Sequence, residues 1–562
     1  MLLDIRQGDS RPTVLLRSDF SEREACKALP VRRWDAAAKV WQAPVSHIEA
    51  IAENFPNADQ TQGFRLFHAA SALRRSLVRE LQALPDLPEG HALRTHLQGV
   101  PTPYPHQRVG TAFLTVRQTG LLADEMGLGK SLEAIHALVP RFQRGEISRC
   151  VVICPNSVKY VWDHELATHC PALFNDRVLI GGDRDRRAQL LARARLTRWA
   201  IINYEAARIE PAALRDLTQG QALICDEAQA LKYRQAQISK LVAALRPACL
   251  FLLTGTPVAN RPEDLWHLAN LVEPGLLGDF WRFCERYCVK DFFGAIRSYR
   301  RLDELHARVS HLYLRRRKAD VLHLPLKTTS LVPIELGPEE TAAYASMKEL
   351  LFASLADKDD HYVRTHAPTI LTQLLRLSEI ADGMVRQGDD VAIVDIPAKT
   401  QALDELVSAT DGKLVIWTRF RPVAQYLADR YSAPAYTGDL SPERRNEVVD
   451  AFQTCDEPRI LVATIQAAGL GLTLTAAQTQ VFYDRWWSPA VNLQAEDRLH
   501  RIGQTGTVNI YHLVARQTID EHLSVLLQRK QAWAHRILAD PHDSPEVHAP
   551  ALTRAAALSL LR

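Results

Sequence analysis

No apolar run in the sequence approaches the roughly 20 residues that a membrane helix needs, and charge interrupts Met1 to Asp9 before any secretory core can form. The chain is therefore expected to be neither secreted nor membrane-spanning, with the cytoplasm as its compartment. No two of its nine cysteines are spaced C-x-x-C, and several sit in apolar runs such as Cys150 to Cys154. They read as reduced, buried, small hydrophobes. Cys284 with Cys288, or Cys154, His164, His169 and Cys170, could be imagined around zinc, but neither set has a second pair at metal-site spacing. Charge of one sign is also lacking: 68 basic against 65 acidic residues leave a net +3, so any nucleic-acid surface must be a local patch. Repeats of fixed short period and low-complexity segments do not occur.

What is present is an ordinary globular composition, 47% hydrophobic and 24% charged, in 562 residues, enough for about three or four domains. Residues 1–60 read as a small α+β module, with short strands at Val14 to Leu16 and Val40-Trp41 and a helix at Ile48 to Asn54. Residues 61–98 read as a helical connector, with Leu66, Leu73, Leu77 and Leu81 at helical spacing and Arg74, Arg75 and Arg79 between them. From residue 99, short continuous apolar runs alternate with helical periodicity. The runs are Leu121-Leu122, Cys150 to Cys154, Trp199 to Asn203, Ala222 to Cys225 and Leu250 to Thr254, then Leu414 to Thr418, Ile460 to Thr464, Val481 to Asp484 and Val508 to Val514. Doubly buried strands alternating with helices predict parallel sheets, and two sets predict two α/β lobes, at 99–325 and 401–540. A mostly helical link over 326–400 joins them, and 541–562 forms a tail.

The stretch Leu121 to Ile135 carries the first chemistry. An apolar strand end runs into Asp124-Glu125-Met126-Gly127-Leu128-Gly129, and Lys130-Ser131 then opens a helix. Loop N–H groups and a helix N-terminus suit phosphate oxygens, Lys130 supplies a point charge, and the Ser131 hydroxyl can reach Mg²⁺. Asp124 stands where the generic phosphate-loop pattern has glycine. Downstream, the strand ending Ala222 to Cys225 delivers Asp226 and Glu227 at its C-terminal end, where open α/β sheets bind ligands. Asp226 is suited to hold Mg²⁺ and Glu227 to orient an attacking water. Arg498 and Arg501, three apart, are expected on one side of a helix, where they could stabilise transferring phosphate.

Arg498 to Gln504, reading Arg-Leu-His-Arg-Ile-Gly-Gln, resembles the sixth helicase motif of the SNF2 family of superfamily 2 DNA translocases. Asp124 to Ser131 resembles that family's first motif, Asp included. The resemblance continues in order through Tyr104 to Gln107, Val151 to Pro155 with Trp162 and Glu165, Ile201 to Tyr204, and Leu252 to Pro257 with Asn260, Glu263 and Trp266. It resumes at Leu314 to Arg316 with Leu324 to Lys327, Lys413 to Phe420, Ala463-Thr464 with Ala468 to Leu474, and Asp484 to Pro489. It implies two RecA-like lobes that bind ATP and Mg²⁺ between them and DNA across them. Gln107 would read adenine; Asp124, Met126, Gly127, Gly129, Lys130, Ser131 and Gly471 would cradle the nucleotide; Asp226, Glu227, Arg498 and Arg501 would drive hydrolysis. Trp162, Tyr204, Arg419, Thr464 and Trp486 would face DNA. One departure is Gln229, which replaces the histidine that usually ends the acidic box and links hydrolysis to the motif at Leu252 to Pro257; altered coupling with hydrolysis retained is the expectation.

Pro30, Val31, Arg32, Arg33, Trp34 and Asp35, with Lys39, Trp41 and Pro44, resemble the core of the HARP domain that accompanies annealing-helicase motors of this family. Arg32, Lys39, Trp34 and Trp41 could contact phosphates and stack on bases; the alternative is that the tryptophans form the module's own core. The function implied is ATP-dependent translocation on duplex or forked DNA, by a motor expected to be monomeric. The rivals are an ATP-gated DNA-binding scaffold, a strand-separating helicase and an RNA-polymerase recycling ATPase.

Overall fold

A computed structural model describes residues 1–6, 13–29, 32–94, 100–171, 175–258, 261–290, 296–355, 366–387, 390–470 and 472–538. The expected tail at 541–562 lies outside them, as do Pro30, Val31, Asn260 and Gly471. The chain forms two compact units, one mainly Met1–Cys288 with Arg300–Val321, the other mainly Leu322–His535. No described helix is long and apolar enough to cross a membrane.

The first unit opens with a five-stranded sheet, β1 (Leu2–Arg6), β2 (Thr13–Arg17), β3 (Arg33–Asp35), β4 (Val40–Pro44) and β5 (Asp59–Gln60), in the order β3-β4-β2-β1-β5. Leu3, Val14, Leu16, Trp41, Ile48 and Ile51 form its core. The helix Gln62–Ala83 follows, its first turn capped by Thr61 Oγ1, which accepts from the Phe64 N–H at 3.2 Å. Its buried stripe is Phe64, Val78 and Leu81, whereas Leu66 and Leu73 are 64% and 62% exposed. The leucine spacing thus finds the helix but only part of its buried face: Leu81 is buried and Leu77 half-buried, whereas Leu66 and Leu73 lie where the helix meets solvent.

A seven-stranded, all-parallel sheet forms the body of this unit: β6 (Thr119–Leu122), β7 (Cys150–Cys154), β8 (Arg177–Ile180), β9 (Trp199–Asn203), β10 (Ala222–Asp226), β11 (Cys249–Leu253) and β12 (Tyr313–Leu314). Its order is β12-β6-β11-β10-β7-β9-β8. Every residue of β7, β10 and β11 is buried, as strands covered on both faces require, and each such aliphatic side chain contributes about 1.5–3 kcal/mol. The register sets Leu122 beside Leu253 and Leu253 beside Asp226. The turns after β6, β11 and β10 are thereby neighbours at one end of the sheet.

The second unit is built on a six-stranded parallel sheet: β13 (Lys327–Ile334), β14 (Leu414–Thr418), β15 (Ala435–Tyr436), β16 (Ile460–Thr464), β17 (Thr479–Phe482) and β18 (Val508–Ala515). Its order is β13-β18-β17-β14-β16-β15. Strand β13 falls in the segment read from sequence as a helical link; its mostly exposed residues hide the signal. An antiparallel hairpin, Met384–Gln387 with Asp390–Ile393, was also not foreseen. Lys399, at 0% side-chain exposure, sits between Asp382 at 2.7 Å and Asp520 at 2.6 Å and joins three helical segments.

Candidate nucleotide site

In the first unit β6 ends at Leu122 and the loop turns through Gly127 (φ 84°) and Gly129 (φ 86°) into the helix Lys130–Gln143. Both glycines are in the left-handed region that side chains disfavour. At Gly129 a Cβ would also displace the Gln107 amide, lying 2.2 Å from its Nε2. Gln107 is buried; its Nε2 donates to Leu128 O at 3.1 Å and its Oε1 accepts from the Tyr104 N–H at 2.9 Å. Lys130 Nζ donates to the carbonyls of Asp124 (2.8 Å) and Glu125 (3.1 Å). Met126 packs closely on Gly255, in the turn after β11. Ser131, half-buried, opens the helix.

Strand β10 ends in Asp226, which is buried and held on three sides. The Trp162 indole N–H donates to Oδ2 at 2.8 Å, the Glu227 N–H to Oδ1 at 2.9 Å, and the Tyr204 hydroxyl to its carbonyl at 2.7 Å. Burial, and then the neighbouring Glu227, push the Asp226 carboxyl up to about 6, against these donors and the charge of Lys130. Glu227 adopts the left-handed conformation (φ 49°), a strained backbone of the kind found at functional sites. Gln229 Nε2 donates to Glu227 Oε2 at 2.7 Å, while its Oε1 accepts from Thr254 Oγ1 at 2.7 Å; Thr254 Oγ1 in turn accepts from the Thr256 N–H at 3.0 Å. A hydrogen-bonded line thus runs from the acidic box to the turn after β11, with glutamine in the place of histidine.

The donor chemistry fits a hard divalent cation: the Ser131 hydroxyl in the first turn of its helix and the Asp226 carboxyl at the end of β10 both offer oxygen, and burial leaves Asp226 in need of positive charge. The cramped, left-handed loop fits a phosphate chain approaching its backbone N–H groups.

In the second unit the helix Pro489–Glu496 stops before Arg498. Contrary to expectation, Arg498 and Arg501 lie in the turns after it. The turn still brings them together: Nη1 of both donates to Leu472 O, at 3.4 and 3.2 Å, and Arg501 adds Thr473 Oγ1 at 2.9 Å.

Residues 104–382 match the SNF2-related domain and residues 398–503 the helicase conserved C-terminal domain. The chain belongs to the SNF2 family. YwqA of Bacillus subtilis is 29% identical over 83% of this SNF2 chain and 51% of its own length. The mouse DNA annealing helicase and endonuclease ZRANB3 is 30% identical over 82% of this chain and 42% of its own. An ATP-dependent helicase of Mycoplasma pneumoniae is 28% identical over 75% and 40%. The chain thus spans about half the length of such relatives or less. The SWI2/SNF2 ATPase core of Sulfolobus solfataricus in complex with dsDNA is 26% identical, covering 80% of this chain and 99% of its own, with a TM-score of 0.38.

The five residues expected to face DNA from the two α/β lobes of this SNF2 chain are buried or half-buried. Trp162 (0% exposed) and Tyr204 (7%) instead support Asp226. Arg419 is buried on Asp484, its backbone N–H donating at 2.8 Å and its Nε at 3.2 Å. Thr464 is buried at the end of β16, and Trp486 is half-buried against the core of its unit. Trp162 and Arg419 thereby bond carboxylates that burial would otherwise leave without a partner. In the N-terminal module Trp41 is buried, and Trp34, 41% exposed, lies with its ring centroid 5.1 Å from that of Trp41. Arg32 donates to Leu29 O at 2.8 Å, and Lys39 is exposed in the left-handed conformation. Trp41 thus belongs to the module's core, while Trp34 and Lys39 remain on its surface.

The functional geometry that sequence reading missed is the support around Asp226 and the contacts of Arg316. The side chain of Arg316 donates to Asp124 and Glu133, both fully buried. The signal was there in the pair Arg315-Arg316, but partners 192 and 183 residues away leave no mark in local spacing.

Proposed function

We propose that the protein hydrolyses ATP with Mg²⁺ and uses the cycle to move along DNA. The observation that carries this reading is the hydrogen-bonded line Glu227–Gln229–Thr254 at the sheet end that also bears the Lys130 loop. Lys130 and the loop N–H groups bind and orient phosphate; Ser131 and Asp226 are the residues that would hold Mg²⁺. The metal, when bound, supplies charge neutralisation on the phosphate oxygens. Glu227 orients the attacking water and Gln229 holds Glu227 in place, while Arg498 and Arg501 are assigned to the developing charge. Because Gln229 cannot titrate, its link to Thr254 persists at any pH at which the protein is folded. DNA as the track follows from family membership, and a preference for forked or junction DNA from the likeness to an annealing helicase and from Trp34, Arg33 and Lys39 on the N-terminal module.

The test is phosphate release measured without nucleic acid and with single-stranded, duplex, forked and RNA substrates, using Lys130→Ala and Glu227→Gln as controls. Low basal turnover that rises with duplex and rises further with forks is expected. Equal rates with and without every DNA would sink the translocase reading, and no hydrolysis under any condition would favour an ATP-gated scaffold.

A further inference from the structure

The phosphate loop is pinned at both ends by a residue outside it. Asp124 begins the loop and Glu133 lies in the first turn of the helix that follows; both side chains are at 0% exposure. The guanidinium of Arg316 spans them. Nε donates to Asp124 Oδ1 at 3.0 Å, Nη2 to Asp124 Oδ2 and to Glu133 Oε1 and Oε2 at 3.0 and 2.9 Å, and Nη1 to His106 O. The Arg316 backbone adds to this, its N–H donating to Asp124 Oδ1 at 2.8 Å and its carbonyl accepting from the Glu125 N–H at 3.0 Å. Two residues on, the Lys318 N–H donates to Glu125 Oε2 at 2.8 Å. A glycine makes room for the cluster: a Cβ at Gly110 would fall 1.5 Å from Glu133 Oε2.

We propose that Arg316 is a positioning residue for the phosphate loop, fixing the span from Asp124 to Glu133 and with it the place of the Lys130 ammonium. Lys130 donates to the carbonyls of Asp124 and Glu125, the same two residues that Arg316 and Lys318 hold from the other side. A shift of Asp124 therefore moves the anchor of Lys130. The planar fork matters, since Nε, Nη1 and Nη2 reach two carboxylates and a carbonyl in separate, fixed directions that a point-like ammonium does not reproduce. Asp124 thereby acquires a reason: a glycine there would leave Arg316 with Glu133 as its one carboxylate in this cluster and one end of the loop untied. The inference rests on the nucleotide reading of this loop.

The test is binding of a fluorescent ADP analogue with Mg²⁺, together with the split between KM for ATP and kcat, in Arg316→Lys and in the triple variant Asp124→Asn, Glu133→Gln, Arg316→Met. The triple variant removes the buried charges together, so that folding does not depend on an uncompensated carboxylate. Both variants are expected to bind the analogue at least about tenfold more weakly, with KM raised more than kcat falls. A purely structural role would lower the melting temperature and leave affinity unchanged; wild-type affinity in Arg316→Lys would overturn the proposal, whether or not the triple variant folds. Failure of the wild-type protein itself to bind the analogue would instead overturn the nucleotide reading, and this inference with it.

Discussion

Each unit buries one cation between two carboxylates, and the two arrangements serve different ends. In the first, Arg316 joins Asp124 and Glu133 and also hydrogen-bonds through its backbone to the loop that carries Lys130. In the second, Lys399 joins Asp382, at the end of the helix Ala367–Ala381, to Asp520, in the first turn of the helix Ile519–Leu538. The Asp382 and Asp520 carboxylates favour the ammonium of Lys399 strongly enough to raise it above the ordinary lysine range despite complete burial. The charge arithmetic is the same. One cluster holds the loop here assigned to phosphate, the other ties helices together. A buried ion pair therefore says little about function until its neighbours are known.

The largest effect that would sharpen this contrast belongs to the first unit. Glu227→Gln is expected to lower the ATP turnover rate about a thousandfold or more, roughly 4 kcal/mol, while denaturant midpoints stay near wild type. Parallel loss of stability and rate would dissolve the distinction between a chemical end and a structural one. Lys399→Met is the counterpart: it leaves two buried carboxylates without their cation and is expected to cost about 3 kcal/mol or more in urea unfolding of the second unit. An unchanged midpoint would show that water, not Lys399, satisfies Asp382 and Asp520.

Smaller, and again in the first unit, Gln229→Ala removes the bridge between Glu227 and Thr254. A loss of about 1–3 kcal/mol, or roughly 5- to 150-fold in turnover, is expected with little change in nucleotide affinity. Turnover equal to wild type would mean that Glu227 needs no partner. Smallest is the response to acid. Burial lowers His136 and His267 in the first unit to about 4 and His512 in the second to about 3. The unfolded chain takes up these protons below about 6.5 and the folded chain does not, so stability falls as pH drops from 6.5 towards 4. A penalty of about 1–2 kcal/mol per histidine at pH 5 is expected, and His136→Gln should relieve part of it in thermal unfolding at pH 5 and not at pH 8. Equal midpoints at both pH values in the wild type would refute the assignment.

Nine strands of the two parallel sheets are legible as apolar runs, because strands covered on both faces must be apolar throughout. The four that were not read are the four sheet edges: Arg177–Ile180 and Tyr313–Leu314 in the first unit, Lys327–Ile334 and Ala435–Tyr436 in the second. An edge strand has a partner on one side only and needs no continuous apolar run; Lys327–Ile334 has one buried residue in eight. The same logic applies to three side chains expected on DNA. Trp162, Tyr204 and Arg419 are assigned to DNA by the motifs they sit in, yet a motif does not reveal that Trp162 and Arg419 point in to the carboxylates of Asp226 and Asp484 and Tyr204 to the Asp226 carbonyl.

The order of loop, acidic box and arginine motif, the glycines that permit a left-handed turn, and the alternation that demands parallel sheets were set by the sequence alone, because each depends on neighbours a few residues away. Tertiary structure decided that Arg316 closes the loop on Asp124, that Gln229 reaches Thr254, and that Arg498 and Arg501 leave their helix and converge on Leu472 O. Those contacts cross 192, 25 and 26 to 29 residues. Over such separations only the packed strands determine which polar groups must satisfy one another.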